Sequence, residues 1–152
     1  MSQQESTTIP PLFNKVMIGL LRSPLHRIVS RSIMLITFTG RKSGKTYTTP
    51  ISYTRDGNQV TAFTHAKWAQ NLVGGAPVDL RIKKKEYQGR ADVVADDKKA
   101  IAVNLQAFLR RVRSDARYYQ VQFDEDGTPN WEDVQRAAEQ CVMLQIQLGD
   151  VS

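Results

Sequence analysis

A single cysteine, Cys141, in 152 residues leaves no partner for an internal disulfide. With only two histidines beside it, the chain also lacks the set of about four Cys or His that a structural zinc site requires, so no metal is expected. No apolar run approaches the roughly 18 residues of a membrane span. The opening, Met1-Ser-Gln-Gln-Glu-Ser-Thr-Thr, lacks the basic-then-apolar order of a secretory signal, which points to a cytoplasmic protein; residues 1–8 read as a flexible tail. Repeats and long linkers are absent too, and the length suits one domain over residues 1–152.

Acids are scarce where cations are dense. Residues 1–90 hold 14 Lys and Arg against 4 Asp and Glu, whereas residues 91–152 hold 7 against 11. This split suggests an anionic ligand handled by the first part of the chain, beside the plainer reading of a soluble basic surface. Nucleic acid is not the expected partner. The sequence has no RNA-binding signature and no helix with Lys and Arg clustered among exposed aromatics.

Apolar residues at helical spacing (Leu12, Phe13, Val16, Met17, Leu20, Leu21) predict an amphipathic helix over Ile9–Leu21. Only Lys15 and Arg22 are basic there, so packing on the core is favoured over peripheral membrane contact. Period-two patterns and β-branched runs then predict six strands: Ile33–Thr39, Thr46–Arg55, Gln59–Thr64, a strand carrying Val78, Leu80 and Ile82, Tyr87–Val94, and Val142–Leu148. Asp56-Gly57-Asn58 and Lys84-Lys85-Glu86 are read as tight turns, and Pro50, which has no N–H to donate, predicts an edge or bulged strand. A short helix over Lys67–Val73 stops at Gly74-Gly75. A longer helix begins at an Asp96 cap and runs to about Arg113, and Asn130 caps another from Trp131 to about Gln140. Six mostly antiparallel strands with an N-terminal helix and inserted helices define an α+β fold, a small barrel.

The segment Thr39-Gly40-Arg41-Lys42-Ser43-Gly44-Lys45 is the richest in chemistry. Its glycines let backbone amides approach a ligand, while three cations and a hydroxyl surround the turn, a composition suited to phosphate. It is not a Walker A loop, because the glycine spacing is one residue short and a Thr-rich strand follows instead of a helix. A solvated hairpin turn is the plainer alternative. Trp68 and Asn71 share a helix face; the indole could wall a groove or simply anchor the core. His65 and Lys67 can each donate to an anion at short range.

These residues, in order, resemble the deazaflavin (F420)-dependent nitroreductase and quinone reductase family. The resemblance rests on Leu21-Arg22-Ser23-Pro24-Leu25-His26, the strand into Thr39–Lys45, Thr49-Pro50, Tyr53-x-Arg55-Asp56-Gly57 and Trp68-x-x-Asn71-Leu72. It implies a split β-barrel and a cofactor, F420 or alternatively flavin mononucleotide (FMN), with its phosphate near the basic turn. By the same resemblance Thr39, Gly40, Arg41, Lys42, Ser43, Gly44, Lys45, Thr49, Pro50, Trp68 and Asn71 contact the cofactor, and Tyr118 and Tyr119 line the substrate pocket or donate a proton. One departure is visible. Deazaflavin-binding members carry a longer Gly-Gly-x-Pro loop before the tryptophan helix; here Thr64-His65-Ala66-Lys67 is the whole link, and His65 and Lys67 would substitute for it. The implied activity is an oxidoreductase passing a hydride or two electrons to a quinone or nitro-type small molecule; a flavin, quinone or fatty-acid carrier is the alternative. Pairing as a homodimer and a monomer covered by its N-terminal helix both stay open.

Overall fold

The computed structural model describes residues 32–149. The helix expected over Ile9–Leu21, the Leu21–His26 motif and the 1–8 tail lie outside the described residues. The strands are β1 (Ile33–Thr39), β2 (Thr46–Ser52), β3 (Thr54–Asp56), β4 (Gln59–Thr64), β5 (Ala76–Ile82), β6 (Lys85–Val94) and β7 (Val142–Leu148). Helix α1 spans Lys98–Arg111 and α2 spans Trp131–Ala138, with 3-10 turns at Lys67–Leu72 and Arg113–Ala116. No described helix is long and apolar enough to cross a membrane.

All strand pairs are antiparallel, and the sheet order is β2-β1-β5-β6-β7-β4-β3. The expected six strands are therefore seven. The run Thr46–Arg55 breaks at Tyr53, where the backbone leaves its pairing with β1 and takes up pairing with β4. Tyr53 itself is buried and donates its N–H to Ser32 O at 2.8 Å, so the break is held on both backbone and side chain. Since β2 and β3 occupy opposite edges of the sheet yet adjoin in sequence, the sheet must curl until its edges meet. The result is a half-barrel, the split β-barrel expected from the sequence. Pro50 sits on edge strand β2, opposite Leu35, where its missing N–H costs little.

Period-two alternation divides the buried residues between two cores. Met34, Ile36, Phe38, Val60, Leu80 and Ile146 fill the barrel interior. Phe63 and Met143, one residue out of phase with their strands' barrel-facing positions, meet Ile101, Leu105, Phe108 and Val134 of the two helices. Each such side chain withdrawn from water contributes about 1.5–3 kcal/mol before entropy is charged against it. The α1 cap is Asp97, which accepts from Ala100 N at 3.0 Å, and not the expected Asp96, whose carbonyl instead accepts from Lys98 N. Asn130 caps α2 as expected, accepting from Asp133 N at 3.0 Å.

The two-residue turns differ in quality. Gly57, at φ 61, holds the first central position between β3 and β4, which suits a type II′ turn. Between β5 and β6 the turn residues are Lys83 and Lys84, one residue earlier than expected, at φ 50 and 73. A left-handed conformation costs a residue with a Cβ roughly 1–2 kcal/mol. Lys84→Gly is therefore expected to stabilise the protein by roughly 0.5–1 kcal/mol net of glycine's extra unfolded-state entropy, read as a higher urea midpoint. A lower midpoint would show that the lysine side chain offsets the strain.

Candidate functional site

The basic turn joins β1 to β2. Gly40 N–H donates to Lys45 O at 2.7 Å and Gly44 N–H to Gly40 O at 2.8 Å, folding the loop tightly back on itself. A Cβ on Gly40 would lie 2.7 Å from the Tyr47 ring and 2.8 Å from Ser43 Oγ, so only glycine fits. Gly44 takes φ 70, and beyond its chain neighbours no heavy atom of the described residues stands within 4 Å of where its Cβ would be, so among these residues the outer face of the turn is open. Ser43 Oγ accepts from Lys45 N–H at 3.1 Å and is 3.0 Å from Tyr47 Oη. Arg41, Lys42, Ser43 and Gly44 are all exposed.

The turn is tied to the 3-10 segment Lys67–Leu72. Arg41 N–H donates to Asn71 Oδ1 at 2.9 Å, Asn71 Nδ2 donates to Trp68 O at 2.9 Å, and the Arg41 guanidinium donates to Val73 O. Both ends of the Asn71 amide thus serve this docking. Trp68 stacks on Phe38 with centroids 5.1 Å apart, and Phe38 meets Tyr47 at 5.7 Å, so one aromatic column supports turn and tryptophan alike. Such a stacked pair adds about 0.5–1.5 kcal/mol beyond its burial.

The other side of Trp68 faces a cleft of about 270 Å³, lined also by Pro50, Ser52, Phe63, Asp115, Tyr118 and Tyr119. That volume lies just below the usual range for ligand pockets of roughly 300–1,000 Å³. Tyr118, 64% exposed, hydrogen-bonds through Oη to His65 Nε2 with the two rings stacked at 5.6 Å. Tyr119 meets Tyr118 edge-on at 5.1 Å and donates its hydroxyl to Phe63 O at 3.4 Å. Burial pushes the Tyr119 hydroxyl far above the ordinary phenol range, reinforced by Cys141, Asp115 and Tyr118, so it stays protonated.

The structure thus gathers Pro50, Trp68, Tyr118 and Tyr119 at one cleft, and Thr39 through Lys45 with Asn71 at the turn beside it. Thr49 and Lys67 fall elsewhere. Thr49 alternates onto the face of β2 shared by Tyr47 and Ile51, opposite Pro50, while Lys67 lines a neighbouring pocket with His65 and Cys141. Asp115 and Ser52 were not singled out from the sequence. The faint signals were Asp115 lying three residues before Tyr118 and Ser52 sharing a face with Pro50. Burial raises the Asp115 carboxyl above its ordinary range, partly opposed by a hydrogen bond from Ser52. Cys141 is buried, and its thiol is pushed up to about 11 by burial, so it is no nucleophile at neutral pH. Among the described residues no group of three or more His, Cys, Asp or Glu could hold a metal.

These features define a split-barrel domain with a basic turn beside an aromatic cleft, and the backbone fold recurs in solved structures. A Listeria innocua protein described as a pyridoxamine 5'-phosphate oxidase matches with TM-score 0.52 at 10% identity, over 91% of this chain and 94% of that one. An Agrobacterium tumefaciens protein of unknown function matches with TM-score 0.50 at 13% identity, over 86% and 58% respectively. Such distant likenesses establish the fold alone. The F420H(2)-dependent quinone reductase family model matches residues 23–129, and the chain belongs to that family, whose coenzyme is the deazaflavin F420. No curated protein matches the sequence.

Asp115 gives this site a pH signature. Its folded-state pKa is raised, so the folded protein holds the proton to higher pH than the unfolded chain does. Stability is therefore lost as pH rises from the ordinary aspartate range through the raised value, then levels off. Asp115→Asn removes that loss. Urea unfolding across this range should show the variant gaining on wild type as pH rises; a difference that does not vary with pH would mean that the carboxyl is not desolvated.

Proposed function

We propose that the protein uses reduced F420 to reduce a small, uncharged quinone or nitro-type acceptor. The observation that carries this reading is the docking of an open basic turn and an aromatic cleft onto the same Trp68–Asn71 segment. The residues present fit the coenzyme. The exposed Lys42 ammonium, the Ser43 hydroxyl and the open face at Gly44 suit a phosphate, while Trp68 and Pro50 offer a flat, apolar wall to a ring.

When bound, the reduced coenzyme supplies the hydride, and the protein supplies binding and orientation. Lys42, Ser43 and Lys45 hold phosphate, and Arg41, fastened to Val73 O, keeps the turn seated. Asn71 is a positioning residue, since its amide is committed to Arg41 and Trp68. With His65 donating from Nε2 to the Tyr118 oxygen, the Tyr118 O–H is free to protonate the acceptor; the resulting tyrosinate regains a proton from His65 Nε2 as Nδ1 takes one up from solvent, which leaves His65 neutral. Tyr119, bound to Phe63 O, shapes the pocket and does not titrate. A cleft lined by hydroxyls, aromatics and one carboxyl favours an uncharged acceptor over an anionic one.

Steady-state oxidation of F420H2 with menadione as acceptor tests this. Lys42→Ala should raise KM for F420H2 about tenfold with kcat nearly unchanged, the pattern of lost uniform binding worth about 1.4 kcal/mol. Tyr118→Phe should lower kcat while leaving that KM in place. Binding without turnover would leave a carrier. Turnover with reduced FMN and not F420H2 would transfer the reading to the other flavin, and an unaltered KM in Lys42→Ala would remove the turn from the site.

A further inference from the structure

A second basic concavity lies beyond Tyr53, away from the coenzyme turn. It has a volume of about 650 Å³ and is lined by Arg55, Lys83, Arg111 and Arg113 together with Ser32 and Ser114. No Asp or Glu is among its described lining residues. Four cations converge from four separate elements: β3, the β5–β6 turn, the end of α1 and the following 3-10 turn. Like charges brought together in this way repel one another, and a concave wall concentrates their field.

Three of the cations are held in place by contacts that leave donors over. Arg55 donates Nε to Gly57 O at 2.8 Å with its guanidinium 4.6 Å from the Tyr87 ring centroid. Arg113 donates Nη1 to Gly127 O at 3.1 Å and lies 4.0 Å over Phe123. Arg111 takes both carboxylate oxygens of Asp56 through Nη1, at 3.1 and 3.0 Å, and donates Nη2 to Arg55 O at 3.2 Å. A guanidinium has five N–H donors, so each retains some beyond the contacts that anchor it. Asp56 neutralises one charge at the rim. Lys83, raised on the left-handed turn, makes no hydrogen bond or ion pair with another described residue.

We infer that this pocket binds a small polyanion, a phosphate ester or polycarboxylate, through Arg55, Lys83, Arg111 and Arg113. It is separate from the coenzyme turn: β2 runs its full seven residues between them, roughly 23 Å at strand rise. Ser52 lines the aromatic cleft while Tyr53 and Thr54 line this pocket, so the two sites adjoin across one residue. The inference uses no residue of the proposed coenzyme turn, and its failure would leave the reading of that turn intact.

The test follows amide shifts of Gly57, Lys83 and Ser114 in the isotope-labelled full chain at low ionic strength, with pyrophosphate and citrate titrated separately. Saturable shifts at these three amides are expected, and Lys83→Glu should weaken binding about tenfold or more, as removal of a charge-assisted contact does. Arg113→Gln should weaken it as well, and Lys42→Ala should leave it unchanged. The tighter probe distinguishes a phosphate from a carboxylate ligand. Shifts confined to residues 40–45, shifts that never saturate, or undiminished binding in Lys83→Glu would overturn the inference.

Discussion

The closure of the sheet at Tyr53 is the constraint from which the rest of the molecule follows. Six interstrand spacings would hold the edges of a flat seven-stranded sheet roughly 29 Å apart, whereas Ser52 and Thr54 flank one residue and stand at most about 7 Å apart. Because β2 and β3 are those edges, only a curled sheet satisfies the chain. Burial of the Tyr53 ring and the bond from its N–H to Ser32 O hold the closure. The outward face of β2 is thereby turned toward the segment carrying Asp115, Tyr118 and Tyr119, and the cleft forms between them. The same residue also separates the cleft from the basic pocket beyond it.

Chemistry is then distributed along β2. Its first end carries the turn with Lys42 and Ser43, its middle offers Pro50 to the cleft, and its last residue, Ser52, lines that cleft with Asp115. What keeps turn and cleft in register is a short relay, Arg41 N–H to Asn71 and Asn71 to Trp68 O, on top of the Phe38–Trp68 stack. On the proposed reading, β2 runs from an anion site past a ring wall to an acceptor pocket, an arrangement that suits an elongated coenzyme better than a compact one. The family's coenzyme, F420, is consistent with that arrangement.

Much of this was legible in the sequence, and what was missed has a physical pattern. Strands β5 and β7 announce themselves by alternation because one face of each is buried in the barrel, β1 by its apolar, β-prone run, and β4 by the Asp56-Gly57-Asn58 turn that leads into it. Asn130 and Gly74-Gly75 act locally, so their roles as cap and stop were readable. The break at Tyr53 was not, because nothing local distinguishes a strand that changes partner from one that continues. Asp96 and Asp97 are chemically equal as caps, and only the backbone path selects the second. The paired left-handed lysines go against turn preference, so the turn was placed one residue late. Asp115 and Ser52 meet across 63 positions of sequence, a proximity that only closure of the barrel creates.

The most direct test of the account is a single shift map of the labelled full chain during titration with F420. The account requires the amides of residues 40–45 and the indole N–H of Trp68 to shift together and to saturate with one dissociation constant, since one ligand spans both. Shifts at the turn with a silent indole, or at neither, would contradict it, because the docking of turn and cleft onto one segment would then serve packing alone.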